Sequence, residues 1–179
     1  MNYNIDRSRI ITRPVKVTFL EMHEKPKESL PVKEGATFIL LGKPIDVATY
    51  RKYYYGVGEK YYWLDRMVMP DEMLAEKINA ANTDIYLMYY DNEPAGYAEF
   101  IKEKEFTEVL YFGLLPAFIG KGIGKYFLQW VVQQAWSYKP KWIQLNTCEL
   151  DHPHALPNYK NAGFKEVRTA MEERKILLP

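Results

Sequence analysis

The sequence predicts a mixed α/β domain, a mainly antiparallel sheet flanked by helices. Three observations carry this prediction. Segments 85–90, 94–101 and 108–115 are short, rich in β-formers and separated by tight polar turns, as in an antiparallel meander. The glycine-rich turn from Gly120 to Gly124 runs straight into apolar residues at helical spacing. Helical and strand patterns are interleaved along the chain, and there is no internal repeat or low-complexity segment.

The chain has 179 residues, 47% of them hydrophobic and 26% charged, which fits one domain spanning 1–179. Twenty-four Lys and Arg against 23 Asp and Glu give a net charge of +1. Such a chain has no overall field to hold a phosphodiester backbone or an anionic membrane, so no nucleic-acid or membrane partner is expected. The single cysteine, Cys148, excludes an internal disulfide and fits a reducing compartment. With no apolar run long enough to span a bilayer and no apolar leader in residues 1–13, a soluble cytoplasmic protein is expected.

Taken in order, residues 1–13 read as a loose N-terminal arm. After Pro14, Val15-Lys16-Val17-Thr18-Phe19-Leu20 is a first strand ending near Met22. Residues 24–35 hold Pro26 and Pro31 among Lys and Glu and form a surface loop. Asp46 caps a helix from Val47 to about Tyr55, stopped by Gly56 and Gly58. Next comes an aromatic block, Tyr61-Tyr62-Trp63, part of an excess that includes 15 tyrosines and suits either a thick core or a pocket wall. Asp71 opens a second helix bearing Met73, Leu74 and Ile78, and Asn79 to Asn82 closes it. Beyond the three meander strands, Ile123, Phe127, Trp130 and Val131 share one face of a helix reaching Ser137. Trp142 to Thr147 is a buried strand. Ala155 to Ala162 is a short helix ended by Gly163, and the tail from Phe164 alternates like one or two closing strands.

The turn after Leu114-Leu115 is built for an anion. Glycines let the backbone come close, the first amides of a helix lack partners, and the dipole favours negative charge. Lys121 and Lys125 add positive charge. A nucleotide-hydrolysing loop would need Ser or Thr after its final Gly-Lys, but Tyr126 stands there. A dinucleotide turn would need a third glycine where Lys125 stands. Cys148, His152 and His154 are too few for a metal site, and none is expected.

Residues 85–167 resemble the GNAT superfamily of acyl-CoA-dependent N-acyltransferases. The family's pyrophosphate loop carries Arg or Gln, two residues, Gly, one residue, then Gly or Ala. Gly122 and Gly124 match its glycines, while Ile119 stands at the Arg or Gln position. A second segment, His152 to Phe164, resembles the family's Asn-x-x-Ala helix ending in Tyr and then Gly-Phe. Ala155, Tyr159, Gly163 and Phe164 are in place and His152 replaces the Asn.

The resemblance implies a GNAT-like fold and acetyl transfer from acetyl-CoA to the primary amine of a small molecule or peptide, by direct attack in a ternary complex. A catalytically silent coenzyme-binding module is the alternative. The coenzyme pyrophosphate is expected over Gly120, Lys121, Gly122, Ile123, Gly124 and Lys125 beside Ile119. Its pantetheine arm is expected along Phe112, Gly113, Leu114 and Leu115, with His152, Ala155 and Tyr159 nearby. Tyr159 is the implied acid for the leaving thiolate. The base is Glu108 before Glu99, both strand carboxylates. The aromatic stretch from Asp46 to Trp63 is the expected acceptor wall, suited to an apolar or cationic amine.

Overall fold

The computed structural model describes residue 3 and residues 5–178. Among these described residues, seven strands and five α-helices occur in the order β1 (Ile10–Met22), β2 (Ala36–Leu40), α1 (Val47–Gly58), α2 (Asp65–Val68), α3 (Asp71–Asn79), β3 (Thr83–Tyr90), β4 (Glu93–Lys102), β5 (Phe106–Leu114), α4 (Gly124–Ser137), β6 (Trp142–Cys148), α5 (Ala155–Asn161) and β7 (Lys165–Leu177). The strands form one sheet in the order β2-β3-β4-β5-β6-β1-β7, antiparallel throughout except for the parallel pair β5 and β6.

Each face of the sheet carries its own apolar cluster. On one, α4 sets Phe127, Val131 and Ala135 against Leu20, Phe100, Val109 and Ile143. On the other, Tyr50 and Tyr54 of α1 and Leu74 and Ile78 of α3 cover Ile85, Leu87 and Tyr97. Side chains of this size contribute roughly 1.5–3 kcal/mol each on full burial, so these two stripes fix where the helices sit. Helix α1 presses close to the sheet: a Cβ on Gly113 of β5 would lie 2.4 Å from Val57.

Local signals set most element starts. Asp46 caps α1 as expected, its Oδ2 accepting from the Thr49 N–H at 2.7 Å. Helix α1 runs through Gly56 to Gly58, because buried Tyr53, Tyr54 and Val57 hold its last turns. Pro70, not Asp71, is the N-cap of α3, and Asp71 begins the helix, where its charge favours the dipole. The short helix α2 and strand β2 carry no clear pattern in the sequence; among the described residues β2 is an edge strand paired only with β3.

The expected loose arm needs correction. Ile10 to Arg13 belong to β1 and pair with Leu177 to Arg174 of β7, while residues 1, 2 and 4 lie outside the described residues. The tail forms one 13-residue strand, β7, beside the equally long β1. Residues 17–22 of β1 also pair with β6, so 10–16 and their β7 partners project past β6 as a two-stranded ribbon. Residues 24–35 contain no helix or strand.

Candidate active site

Strands β5 and β6 are paired only at Phe106, Thr107 and Glu108 with Trp142, Ile143 and Gln144. Beyond that point they separate. The β4–β5 register shifts so that Glu99 faces Tyr111 while Phe100 faces Val109, leaving Leu110 as the extra residue of a bulge. A bulge bends its strand and sharpens the twist. Strand β6 meanwhile stays on β1 from Leu145 to Cys148. Between them lies a cavity of about 920 Å³.

Gly120, Gly124 and Lys125 line the cavity where α4 begins. Gly120 and Gly122 have φ of +84° and +74°, the left-handed region that only glycine enters freely, and a Cβ on either would find nothing within 4 Å. The turn therefore presents bare backbone. No side chain caps α4, so its leading N–H groups are free to meet an anion. A smaller hollow of about 330 Å³ lies at the same turn, lined by Gly122, Lys125 and Lys33, the last brought in by the 24–35 loop. Ile119 lines the main cavity half-exposed and offers no polar contact there.

The expected coenzyme residues divide. Phe112, Gly113, Leu114, Ile119, Gly120, Gly124, Lys125, His152, Ala155 and Tyr159 line the main cavity. Gly122 lines the smaller hollow. Lys121 holds its ammonium 4.5 Å from the centre of the Phe118 ring. Two of the expected residues line neither hollow with their side chains: Ile123 is wholly buried in the α4 core, and Leu115 packs against both apolar clusters, its N–H donating to the Ala95 carbonyl.

Tyr159, on α5, points into the cavity between Phe112 and Phe164, ring centres 6.5 and 6.2 Å away. Burial, then the Asp151 carboxylate, push its phenol above the usual value, so it keeps its proton at neutral pH. Neither expected base lines the cavity. Glu99 is fully buried beneath the aromatic wall: its Oε1 accepts from Arg66 Nη2 at 3.2 Å and its Oε2 from the Tyr50 hydroxyl at 2.6 Å. Burial raises its pKa against the opposing pull of Arg66 and Tyr50, and the bonded guanidinium keeps it occupied in an ion pair. Glu108 lies in the closed, β6-paired stretch of β5.

Burial and then Glu103 and Glu99 raise the Glu108 pKa. A carboxyl raised by folding binds its proton more tightly in the folded chain, so its contribution to stability is present in acid and fades as pH climbs through and above the carboxylate range. Glu108→Gln is thus expected to melt higher than the parent at neutral pH, by a margin that closes in acid, with turnover changed by less than about threefold. A large fall in turnover with unchanged melting would restore Glu108 as the base.

Tyr54, Tyr61, Tyr62 and Trp63 of the expected acceptor wall line the cavity, whereas Asp151, Glu172 and Arg174, which also line it, carried no signal in the sequence. Asp151, in the loop after β6, accepts from the Thr147 hydroxyl at 2.7 Å and the Cys148 N–H at 2.9 Å through Oδ2, and from Trp63 Nε1 at 3.3 Å through Oδ1. Trp63, Tyr54 and Tyr111 pack with ring centres 5.0–5.6 Å apart. Trp63 fits because Gly58 has no side chain: a Cβ there would lie 2.3 Å from the indole Cβ. Glu172 and Arg174 line the cavity from the β1–β7 ribbon, and Lys175 ties that ribbon to Asp65 of α2. Cys148 also lines it, but burial and Asp151 push its thiol up, the wrong direction for a nucleophile. Among the described residues, no group of three or more His, Cys, Asp or Glu is placed to hold a metal ion, and no helix is long and apolar enough to cross a membrane.

A seven-stranded, mostly antiparallel sheet that splays at its one parallel pair, with a glycine turn and helix at the opening, is the fold of the GNAT acetyltransferases. The chain belongs to that family: the acetyltransferase (GNAT) sequence profile matches residues 44–164. The match leaves out β1, β2 and β7, hence the ribbon that closes the cavity. No curated protein gives a significant match. Among solved structures, a GCN5-related N-acetyltransferase from Sphaerobacter thermophilus, 15% identical, superposes with a TM-score of 0.63 over 93% of this chain and 53% of its own. A conserved protein of unknown function from Staphylococcus epidermidis, 18% identical, gives 0.60 over 98% and 68%. An aminoglycoside acetyltransferase from an uncultured soil metagenomic sample, 14% identical, gives 0.57 over 74% of this chain and 90% of its own. This chain thus spans about half to two thirds of the length of the first two, and the likeness to all three is one of fold.

Proposed function

We propose that the protein transfers an acetyl group from acetyl-CoA to a primary amine by direct attack in a ternary complex, in a reducing cytoplasm where Cys148 stays a thiol. The observation that carries this is the splayed cavity, with a bare-backbone glycine turn at one end and Tyr159 facing its interior. The residues present fit the coenzyme. The open space over Gly120 and Gly122 suits a pyrophosphate, with Lys125 beside it. The edge of β5 that leaves β6 after Glu108 offers unpaired backbone groups to the amide-rich pantetheine arm.

When bound, acetyl-CoA supplies an acetyl group already activated as a thioester. The chain's residues do the rest. The β5 edge and the α4 turn orient the donor, and Phe112 and Leu114 keep water from its reactive end. Tyr159 holds a proton at its hydroxyl for the departing sulfur.

Release of free thiol from acetyl-CoA with a panel of primary amines tests the reading. Coenzyme binding without thiol release for any amine would favour the silent binding module, which Ile119 in place of a polar contact keeps in view. The loop is tested at Gly124, because Gly122→Val would strain a backbone at φ +74° whatever it did to the ligand. Gly124 is helical, and a Cβ there would make ordinary contact with Leu114 at 3.6 Å. Gly124→Val is expected to weaken coenzyme A binding at least about tenfold, roughly 1.4 kcal/mol, in calorimetric titration with the melting temperature kept. Unchanged affinity would move the pyrophosphate elsewhere.

A further inference from the structure

We infer that the acceptor is an alkylammonium, a primary amine that arrives protonated, and that Asp151 receives it beside the Tyr61–Trp63 wall and takes its proton. This rests on the transferase reading for the reaction but on separate residues for the binding.

The argument begins with the charges on the cavity wall. Asp65 is paired with Lys175, and Glu172 with Arg174 at 2.9 Å. Asp151 is different. Its three bonds come from a hydroxyl, a backbone amide and an indole, all neutral donors, and no Lys or Arg among the described residues forms an ion pair with it. Arg174, which also lines the cavity, is held by Glu172. Asp151 is therefore fixed in position by neutral groups while its charge is left for a cation. An anionic acceptor would be repelled, and a neutral one would displace water from a carboxylate without replacing it.

The aromatic residues point the same way. Trp63 binds Asp151 directly, and the Tyr61 ring stands 6.2 Å from that of His152, the next residue along from Asp151. Ring faces attract cations, alkylammonium groups among them, and one ring of this cluster already carries a cation of another kind: the Arg66 guanidinium sits 5.7 Å from the centre of Tyr111. An alkylammonium can lay its stem on Trp63 and Tyr61 and direct its nitrogen to Asp151. A neutral arylamine would have the stacking but not the charge.

Asp151 and Tyr159 line the same cavity, which separates the two proton tasks. The nitrogen gives one proton to Asp151, and its freed lone pair bonds to the acetyl carbon as the carbon–sulfur bond breaks. Tyr159 gives its proton to the sulfur, and the nitrogen gives its second proton to water. The proton on Asp151 then restores Tyr159 through solvent. One ammonium and one thioester become one amide, one thiol and one released proton.

The test uses the full chain and the Trp63 indole N–H resonance, assigned with Trp63→Phe, because that N–H is bonded to Asp151. Cadaverine should shift it saturably, and the pentane diol of the same length should not. Asp151→Asn, which keeps an oxygen acceptor for Thr147 and Cys148 but turns its amide N–H groups toward Trp63, is read by calorimetry instead and should bind cadaverine at least about tenfold more weakly while acetyl-CoA affinity stays within about twofold. No shift with cadaverine, an equal shift with the diol, or full cadaverine affinity in a folded Asp151→Asn protein would each overturn the inference. If Asp151→Asn does not fold, the comparison of cadaverine with the diol on the parent protein decides. Acetyl-CoA titrated alongside keeps the readings apart: absence of coenzyme binding sinks the transferase and leaves the ammonium site, and loss of the cadaverine response alone does the reverse.

Discussion

Arg66→Met is expected to lower stability by about 3–5 kcal/mol, the cost of leaving a buried charge without its partner. Glu99 is 0% exposed, and among the described residues its only charged neighbour at bonding distance is Arg66. With the guanidinium gone, the carboxylate must either stay charged without a partner or take up a proton. Folding would then raise the Glu99 pKa further, so the deficit should shrink in acid, below the ordinary carboxylate range, and widen toward neutral pH. The double variant Arg66→Met with Glu99→Met should recover most of the loss, because two apolar chains of similar length replace the pair without a stranded charge. Urea unfolding of both variants at neutral and acidic pH checks this. A single variant within about 1 kcal/mol of the parent would show that the pair is solvated and reopen Glu99 as a base.

Tyr159→Phe is expected to reduce acetyl transfer about ten- to a thousandfold while coenzyme A affinity stays within a few-fold. The substitution removes one hydroxyl and leaves the ring between Phe112 and Phe164, so packing is kept. A thiol of pKa about 8.5 leaves fairly well unaided, which caps the loss below that for a poorer leaving group. The phenol is raised, so the parent's activity should not fall on the alkaline side near the ordinary tyrosine value. Steady-state kinetics with the acceptor found in the thiol-release panel, beside calorimetry, separates the two effects. Full activity in the variant would make Tyr159 a packing residue.

The case of Glu99 shows what can be read along a strand and what cannot. Its position on β4 follows from a run of β-formers between polar turns, and a strand carboxylate near the coenzyme is a reasonable base. Arg66 stands 33 residues earlier in a four-residue helix with no periodicity to announce it, yet it determines what Glu99 does. Asp151 was hidden for a related reason. It follows β6 in a loop with no motif, and its importance comes from Trp63, 88 residues away, and from its lack of a basic partner.

The sequence by itself determined the meander, the amphipathic α4, the Asp46 cap, the glycine turn and the short helix carrying Tyr159. Each follows from interactions between residues two to four apart, which the order of side chains records directly. The tertiary structure alone decided that β1 runs from Ile10 between β6 and β7, that the ribbon beyond β6 closes the cavity with Glu172 and Arg174, and which carboxylates are neutralised. Those outcomes depend on strand pairing between the two ends of the chain and on charges brought together from distant segments. The free energy of such contacts depends on burial and on partners, neither of which local spacing encodes.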